Sequence, residues 1–173
     1  MPQTGNLCGQ FIYYLRFYYQ ALARFCLLVA TLLCLVCSAH AQTPTPAQSL
    51  KKAVLKNDLP TVETLLKAGA DPNAAIEIVP GSATTYLITA VTDNSLAMVK
   101  LLLQSKAQVN LVDAFKTTAL MTAAGKGNAA MVALLLAGGA DVSAKDDDGK
   151  DALTLAREAG HAAVVALLQQ KLK

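Results

Sequence analysis

A 33-residue period governs the chain after its first fifty residues. Thr118-Ala-Leu-Met-Thr-Ala-Ala124 lies over Asp151-Ala-Leu-Thr-Leu-Ala-Arg157. The same shift sets Leu120 on Leu153, Ala123 on Ala156, Gly127 on Gly160, Val132 on Val165 and Leu134-Leu135 on Leu167-Leu168. Shifted backwards, it recovers Leu87, Ala90, Asn94, Val99 and Leu101-Leu102. A fourth copy (Leu50, Ala53, Asn57, Val62, Leu65-Leu66) fits once four extra residues are allowed in the loop that follows it. Repetition at this period marks a stack of supersecondary units, each burying an apolar face only against its neighbours.

Every copy obeys the same local rules. Thr85, Thr118 and Asp151 can cap a short helix by accepting from free N–H groups of its first turn. Ala53, Ala90, Ala123 and Ala156 let neighbouring first helices approach closely. Asn57, Asn94, Gly127 and Gly160 tolerate a left-handed backbone and end that helix. A second helix then carries one leucine stripe, closed by Ala-Gly-Ala-Asp, Ser-Lys-Ala-Gln or Gly-Gly-Ala-Asp, with Gly69 and Gly139 as stop signals.

These residues resemble the ankyrin repeat, through Asp113, Asp146, Gly149, Ala123-Ala124, Gly160-His161, Gly69-Ala70-Asp71-x-Asn73 and Gly139-Ala140-Asp141. The resemblance spans about residues 48–170 and implies an all-α solenoid of stacked helix-turn-helix units with β-hairpin or loop fingers. Repeats are expected at about 48–74, 80–112, 113–145 and 146–173. The family's Thr-Pro-Leu-His is degraded to Thr-Tyr-Leu-Ile, Thr-Ala-Leu-Met and Asp-Ala-Leu-Thr, which predicts looser helix starts and fewer side-chain bonds between repeats. The outer copies read as caps, the first presenting Lys51, Lys52 and Lys56 and the last ending Gln169-Gln170-Lys171-Leu172-Lys173.

The first forty residues are a separate object. They contain no Asp or Glu and hold all four cysteines, Cys8, Cys26, Cys34 and Cys37. Arg24 precedes an unbroken apolar run, Phe25–Cys37, followed by Ser38-Ala-His-Ala41 and Gln42-Thr-Pro-Thr-Pro46. A basic flank, an apolar core and an Ala-x-Ala site predict a secretory signal over 1–41, cleaved between Ala41 and Gln42, with a flexible Pro/Thr linker over 42–47. The run falls short of the roughly 20 apolar residues that span a bilayer. An uncleaved anchor stays open as the alternative, since Phe11–Phe17 extends the apolar character upstream. Export to a periplasm or medium, as in bacterial proteins of this kind, would leave a chain without thiols, held together by packing alone.

From Gln42 onward 13 Lys or Arg face 12 Asp or Glu, with Arg157 the one arginine and His161 the one histidine. Near-neutral and Arg-poor, this part has no footprint for nucleic acid or anionic lipid. His161 falls at the family's Gly-His turn, where a ring nitrogen bonds backbone, and no second histidine or thiol completes a dyad or zinc site. Asp146-Asp147-Asp148-Gly149 lacks the alternate spacing and closing glutamate of a calcium loop. Neither a cofactor nor a metal is expected, and a hydrolase built on Asp and His161 is the weakest functional reading.

Recognition of a protein partner, by a monomer, is what remains. In the ankyrin architecture the fingers and inner faces of the first helices form one concave surface, and the register assigns Ser82, Thr84, Thr92, Asp93, Lys126, Lys145, Asp147, Asp148 and Lys150 to it. Phe115, beside Lys116, is a large aromatic at an expected exposed tip, either a partner anchor or a residue packed on Tyr86. The enlarged loop Ala74–Ala83 contributes Ile76, Glu77 and Ile78 in strand-like alternation, either as a contact or as a cover over the end of the core. An exported adaptor, or an immunity or inhibitor protein that plugs an enzyme with the Asp147-Asp148 finger, follows from these features.

Overall fold

The structure is a computed structural model that describes residues 45–172. Eight helices follow one another in pairs: α1 (Pro46–Leu55) with α2 (Leu59–Lys67), α3 (Tyr86–Thr92) with α4 (Leu96–Gln104), α5 (Ala119–Gly125) with α6 (Ala129–Ala137), and α7 (Ala152–Glu158) with α8 (Ala162–Lys171). One antiparallel hairpin, β1 (Ile76–Val79) and β2 (Ser82–Thr84), is inserted between the first and second pairs. Each first helix packs on the next first helix, and among the second helices α2 packs on α4 and α6 on α8. That is the expected one-dimensional stack, with four helix pairs. The expected signal segment and its cleavage site at Ala41 and Gln42 lie outside the described residues.

The helix starts follow the sequence closely. Thr85, Thr118 and Asp151 accept from the backbone N–H of Ile88, Met121 and Thr154 at 3.1, 3.2 and 2.7 Å. Loss of the family histidine therefore leaves these starts capped. At Thr118 the box is closed by sulfur, Met121 Sδ accepting from the Thr118 N–H at 3.4 Å. In the first copy Thr45 and Gln48 form a reciprocal box, which begins α1 at Pro46 and makes it ten residues long against seven in α3, α5 and α7. The expected linker over 42–47 is corrected accordingly: its last two residues are the first turn of α1, because proline at N1 already has the helical φ.

The core is four copies of one layer. Ala90, Ala123 and Ala156 are at most 1% exposed and Ala53 is 5% exposed, so the first helices touch across small side chains. Val62, Val99 and Val132, with Leu102, Leu135 and Leu168, are fully buried on the second helices. Full burial of one such side chain stabilises by about 1.5–3 kcal/mol.

Polar bonds between repeats run along two rims. On the first, the residue opening each second helix reaches back to the preceding turn: Ser95 Oγ to Asn57 Oδ1 at 2.8 Å, Asn128 Nδ2 to Asn94 Oδ1, and His161 Nε2 to the Gly125 carbonyl at 3.1 Å. Ser95 and His161 make no cap bond to their own helices, whereas Asn128 also caps its own, accepting from Met131 N–H at 2.9 Å. The turns they meet are left-handed at Asn57, Asn94 and Gly127, with φ of 54°, 58° and 70°. At Gly127 the His161 ring fills the space a side chain would need. On the second rim, Asn73 donates to the Lys106 carbonyl at 3.4 Å and accepts from Gln108 N–H at 2.7 Å. Asn110 repeats the clamp on Gly139 and Asp141 at 3.3 and 2.8 Å. In the last copy Ser143 takes that place and folds back onto Asp141 instead.

Candidate interaction surface

Three fingers lie side by side. Ala114 N–H donates to the Ala83 carbonyl at 2.9 Å, and Asp147 N–H to the Phe115 carbonyl at 3.2 Å, so backbone bonds tie each finger to its neighbour. The second and third fingers share one internal scaffold. Asp113 Oδ1 accepts from Phe115 and Thr117 N–H at 2.9 and 2.8 Å, and Asp146 Oδ1 accepts from Asp148 and Lys150 N–H at 3.0 and 2.8 Å. Asp146 is thus a turn former, as its alignment with Asp113 requires. Among the described residues no group of His, Cys, Asp and Glu is arranged to hold a metal ion.

The fingers join the first helices into one surface. Lys150 Nζ, at the base of the third finger, pairs with Glu158 in the last turn of α7 at 2.7 Å, and Lys116 pairs with Asp147 across two fingers at 2.8 Å. Glu158 and Asp147 hold the two ammonium groups above the ordinary lysine pKa, through a hydrogen bond first and charge second. Thr92, Asp93, Lys126 and Lys145 are exposed. Thr92 spends its hydroxyl within the helix, on the Ile88 carbonyl at 2.9 Å.

Phe115 and Tyr86 are the two aromatic residues beyond Gln42, and they have opposite surroundings. Tyr86 is 1% exposed and its hydroxyl donates to the Ala47 carbonyl at 3.2 Å. Burial, and then the Asp71 carboxylate, raise its phenol above the ordinary value. Phe115 keeps 61% of its surface in solvent. Of the two readings of Phe115, burial by packing is not what the fold provides.

The enlarged loop is the hairpin that its alternation suggested, with Ile76 opposite Thr84, Glu77 opposite Ala83, Val79 opposite Ser82 and a bulge between Glu77 and Val79. The assignment of Ile76 to a partner-contacting set is corrected. Ile76 is 4% exposed and belongs to the core, because the pleat turns alternate side chains to opposite faces and one of those faces covers the stack. Ile78 points the other way and is half exposed, and Glu77 is exposed. Lys51 of α1 donates to the Glu77 carbonyl and holds the strand against the first repeat. Ser82, Thr84 and Lys150 are half-buried, whereas Lys116, Asp147 and Asp148 are exposed.

Two exposed apolar side chains were not expected: Leu55 at 45% and Val112 at 47%. Leu55 shares its register position with Thr92, Gly125 and Glu158, and that alignment was the signal that it faces outward. A shallow open groove of about 540 Å³ lies elsewhere, between α4 and α6, against Lys100, Leu103, Gln104, Leu134, Ala137 and Gly138.

The family comparison agrees with this geometry. The family described as ankyrin repeats, in three copies, matches residues 87–173. That match begins after the first helix pair, whose turns at Asn57 and Gly69 have the same left-handed backbone as the later copies. No curated protein matches the chain. Ankyrin repeats generally mediate protein–protein interactions and are typically non-catalytic. From its 33-residue period, its stacked helix pairs and the matched half of its length, the chain belongs to the ankyrin-repeat family.

Proposed function

We propose that this protein is an exported, monomeric adaptor that binds one partner protein through the surface formed by its fingers and the exposed ends of α3, α5 and α7. The observation that carries this reading is Phe115, an aromatic side chain left 61% exposed on the row of fingers. A large aromatic in water has no stabilising role in the free protein, whereas aromatic residues dominate the energetics of protein contacts. The export half rests on the sequence of residues 1–42, and no described helix is long and apolar enough to cross a membrane. Mass spectrometry of the purified protein tests it, with Gln42 expected as the first residue and an intact N-terminus pointing to a membrane-anchored form.

An inhibitor or immunity protein is the sharper version, favoured by the protruding Asp147-Asp148 finger. Co-purification from the native compartment separates the two: a stoichiometric partner whose enzymatic activity falls on binding is the inhibitor outcome. A partner retained unchanged by both Phe115→Ala and Asp148→Lys would show that this surface is not the binding face.

A further inference from the structure

We infer that Phe115 is a preformed plug for an apolar pocket on the partner protein, and that the rim of this pocket carries a basic group facing Asp148; the inference rests on the interaction surface proposed above. Both backbone groups of Phe115 are fixed, its N–H by Asp113 Oδ1 at 2.9 Å and its carbonyl by Asp147 N–H at 3.2 Å. The next residue, Lys116, is held at φ 58° and its N–H closes the turn on the Asp113 carbonyl at 3.1 Å. The ring therefore stands on a rigid loop and binding orders little beyond its own two torsions, which is how preorganisation raises affinity.

The charges around the ring define what it meets. Lys116 is paired with Asp147 at 2.8 Å, so the cation that follows Phe115 in the chain is already compensated. By register, Ser82 and Asp148 occupy the Phe115 position on the two neighbouring fingers. Asp148 is exposed and, among the described residues, makes no ion pair. At the position that corresponds to Phe115, one neighbouring finger thus presents a neutral residue and the other an anionic one. Carboxylates beside the ring repel phosphate, which disfavours an anionic membrane or a nucleic acid and favours an apolar pocket with a cationic edge.

The test begins with the full-length protein carrying p-benzoylphenylalanine at position 115. It is irradiated in the cell, and the crosslinked protein is identified and purified. Its Kd is then measured against the wild-type chain and variants. Phe115→Ala is expected to weaken binding at least roughly 30-fold, and Phe115→Leu much less. Asp148→Lys is expected to weaken it roughly 3–10-fold and to flatten its salt dependence. The chain has no tryptophan, so Phe115→Trp supplies a single indole whose emission shifts to the blue and resists acrylamide quenching on binding.

Binding that survives Phe115→Ala but is lost in Asp93→Lys/Lys126→Glu overturns the plug and leaves the interaction surface standing. Indifference to both sets overturns both. Absence of any crosslink at position 115 overturns the plug, as does Phe115-dependent binding to phosphatidylglycerol/phosphatidylethanolamine vesicles.

Discussion

The contact between Gly127 and His161 allows a stability prediction to be worked from geometry. An alanine Cβ built at Gly127 lies 2.6 Å from both Cγ and Cε1 of the His161 ring, far inside the ~3.5–4.0 Å of ordinary carbon contact. The ring must leave, and with it goes the bond to the Gly125 carbonyl. Gly160 is the internal control. It has a similar backbone, φ 76° against 70°, and an added Cβ there meets nothing within 4 Å. Left-handed alanine costs about 1–2 kcal/mol at either position. Only Gly127→Ala adds a lost hydrogen bond of about 0.5–1.5 kcal/mol and the lost ring packing. The expectation is about 1–2 kcal/mol for Gly160→Ala and about 2–4 kcal/mol for Gly127→Ala.

Equilibrium urea unfolding followed by far-UV circular dichroism measures both. Because His161 joins the third copy to the fourth, Gly127→Ala should also separate the unfolding of α7–α8 from the rest, as loss of one interface does in a one-dimensional stack. In a His161→Ala background the cost of Gly127→Ala should fall to that of Gly160→Ala. Costs that add within about 0.5 kcal/mol across that cycle would refute the steric reasoning, and so would equal costs at the two glycines.

Three further outcomes follow from the same structure. The Thr154 hydroxyl and N–H, and more weakly Lys145 and Arg157, hold the Asp151 carboxyl below the usual carboxylate range. Its contribution is therefore complete above the unfolded value near pH 4 and is lost as pH falls through the lower folded value. Asp151→Ala should cost about 1 kcal/mol at pH 7 and show a smaller acid-induced loss in urea titrations than the wild type. Asn110→Ala removes a two-bond clamp and should destabilise by about 1–3 kcal/mol, while Ser143→Ala, where the corresponding side chain bonds only within its own loop, should stay within about 0.5 kcal/mol in the same assay. Ile76→Glu buries a carboxylate and should cost more than about 3 kcal/mol, whereas Ile78→Glu should leave the unfolding midpoint nearly unchanged.

The period, the helix pairs, the capping residues and the left-handed turns were all legible in the sequence, because each depends on a residue's own chemistry or on local spacing. Thr118 caps a helix and Gly127 ends one whatever packs against them. His161 could be assigned to structure for the same reason: its place in the register is a turn. The surface was less legible. Ile76 and Ile78 are the same residue type in one strand, and only the docking of the hairpin onto the first repeat decides that Ile76 is covered and Ile78 is not. Leu55 is apolar yet largely in solvent, because its register position, shared with Thr92, Gly125 and Glu158, is an exposed one in every copy. The Lys116–Asp147 pair, and the carbonyl of Phe115 bound by the next finger, join residues whose approach is set by the packing of successive repeats, while the Lys150–Glu158 pair depends on how the last finger folds back over its own helix. Local propensity and period determined what each unit is; the stacking of units, which buries one face of every finger and leaves the other, decided which side chains remain available to a partner.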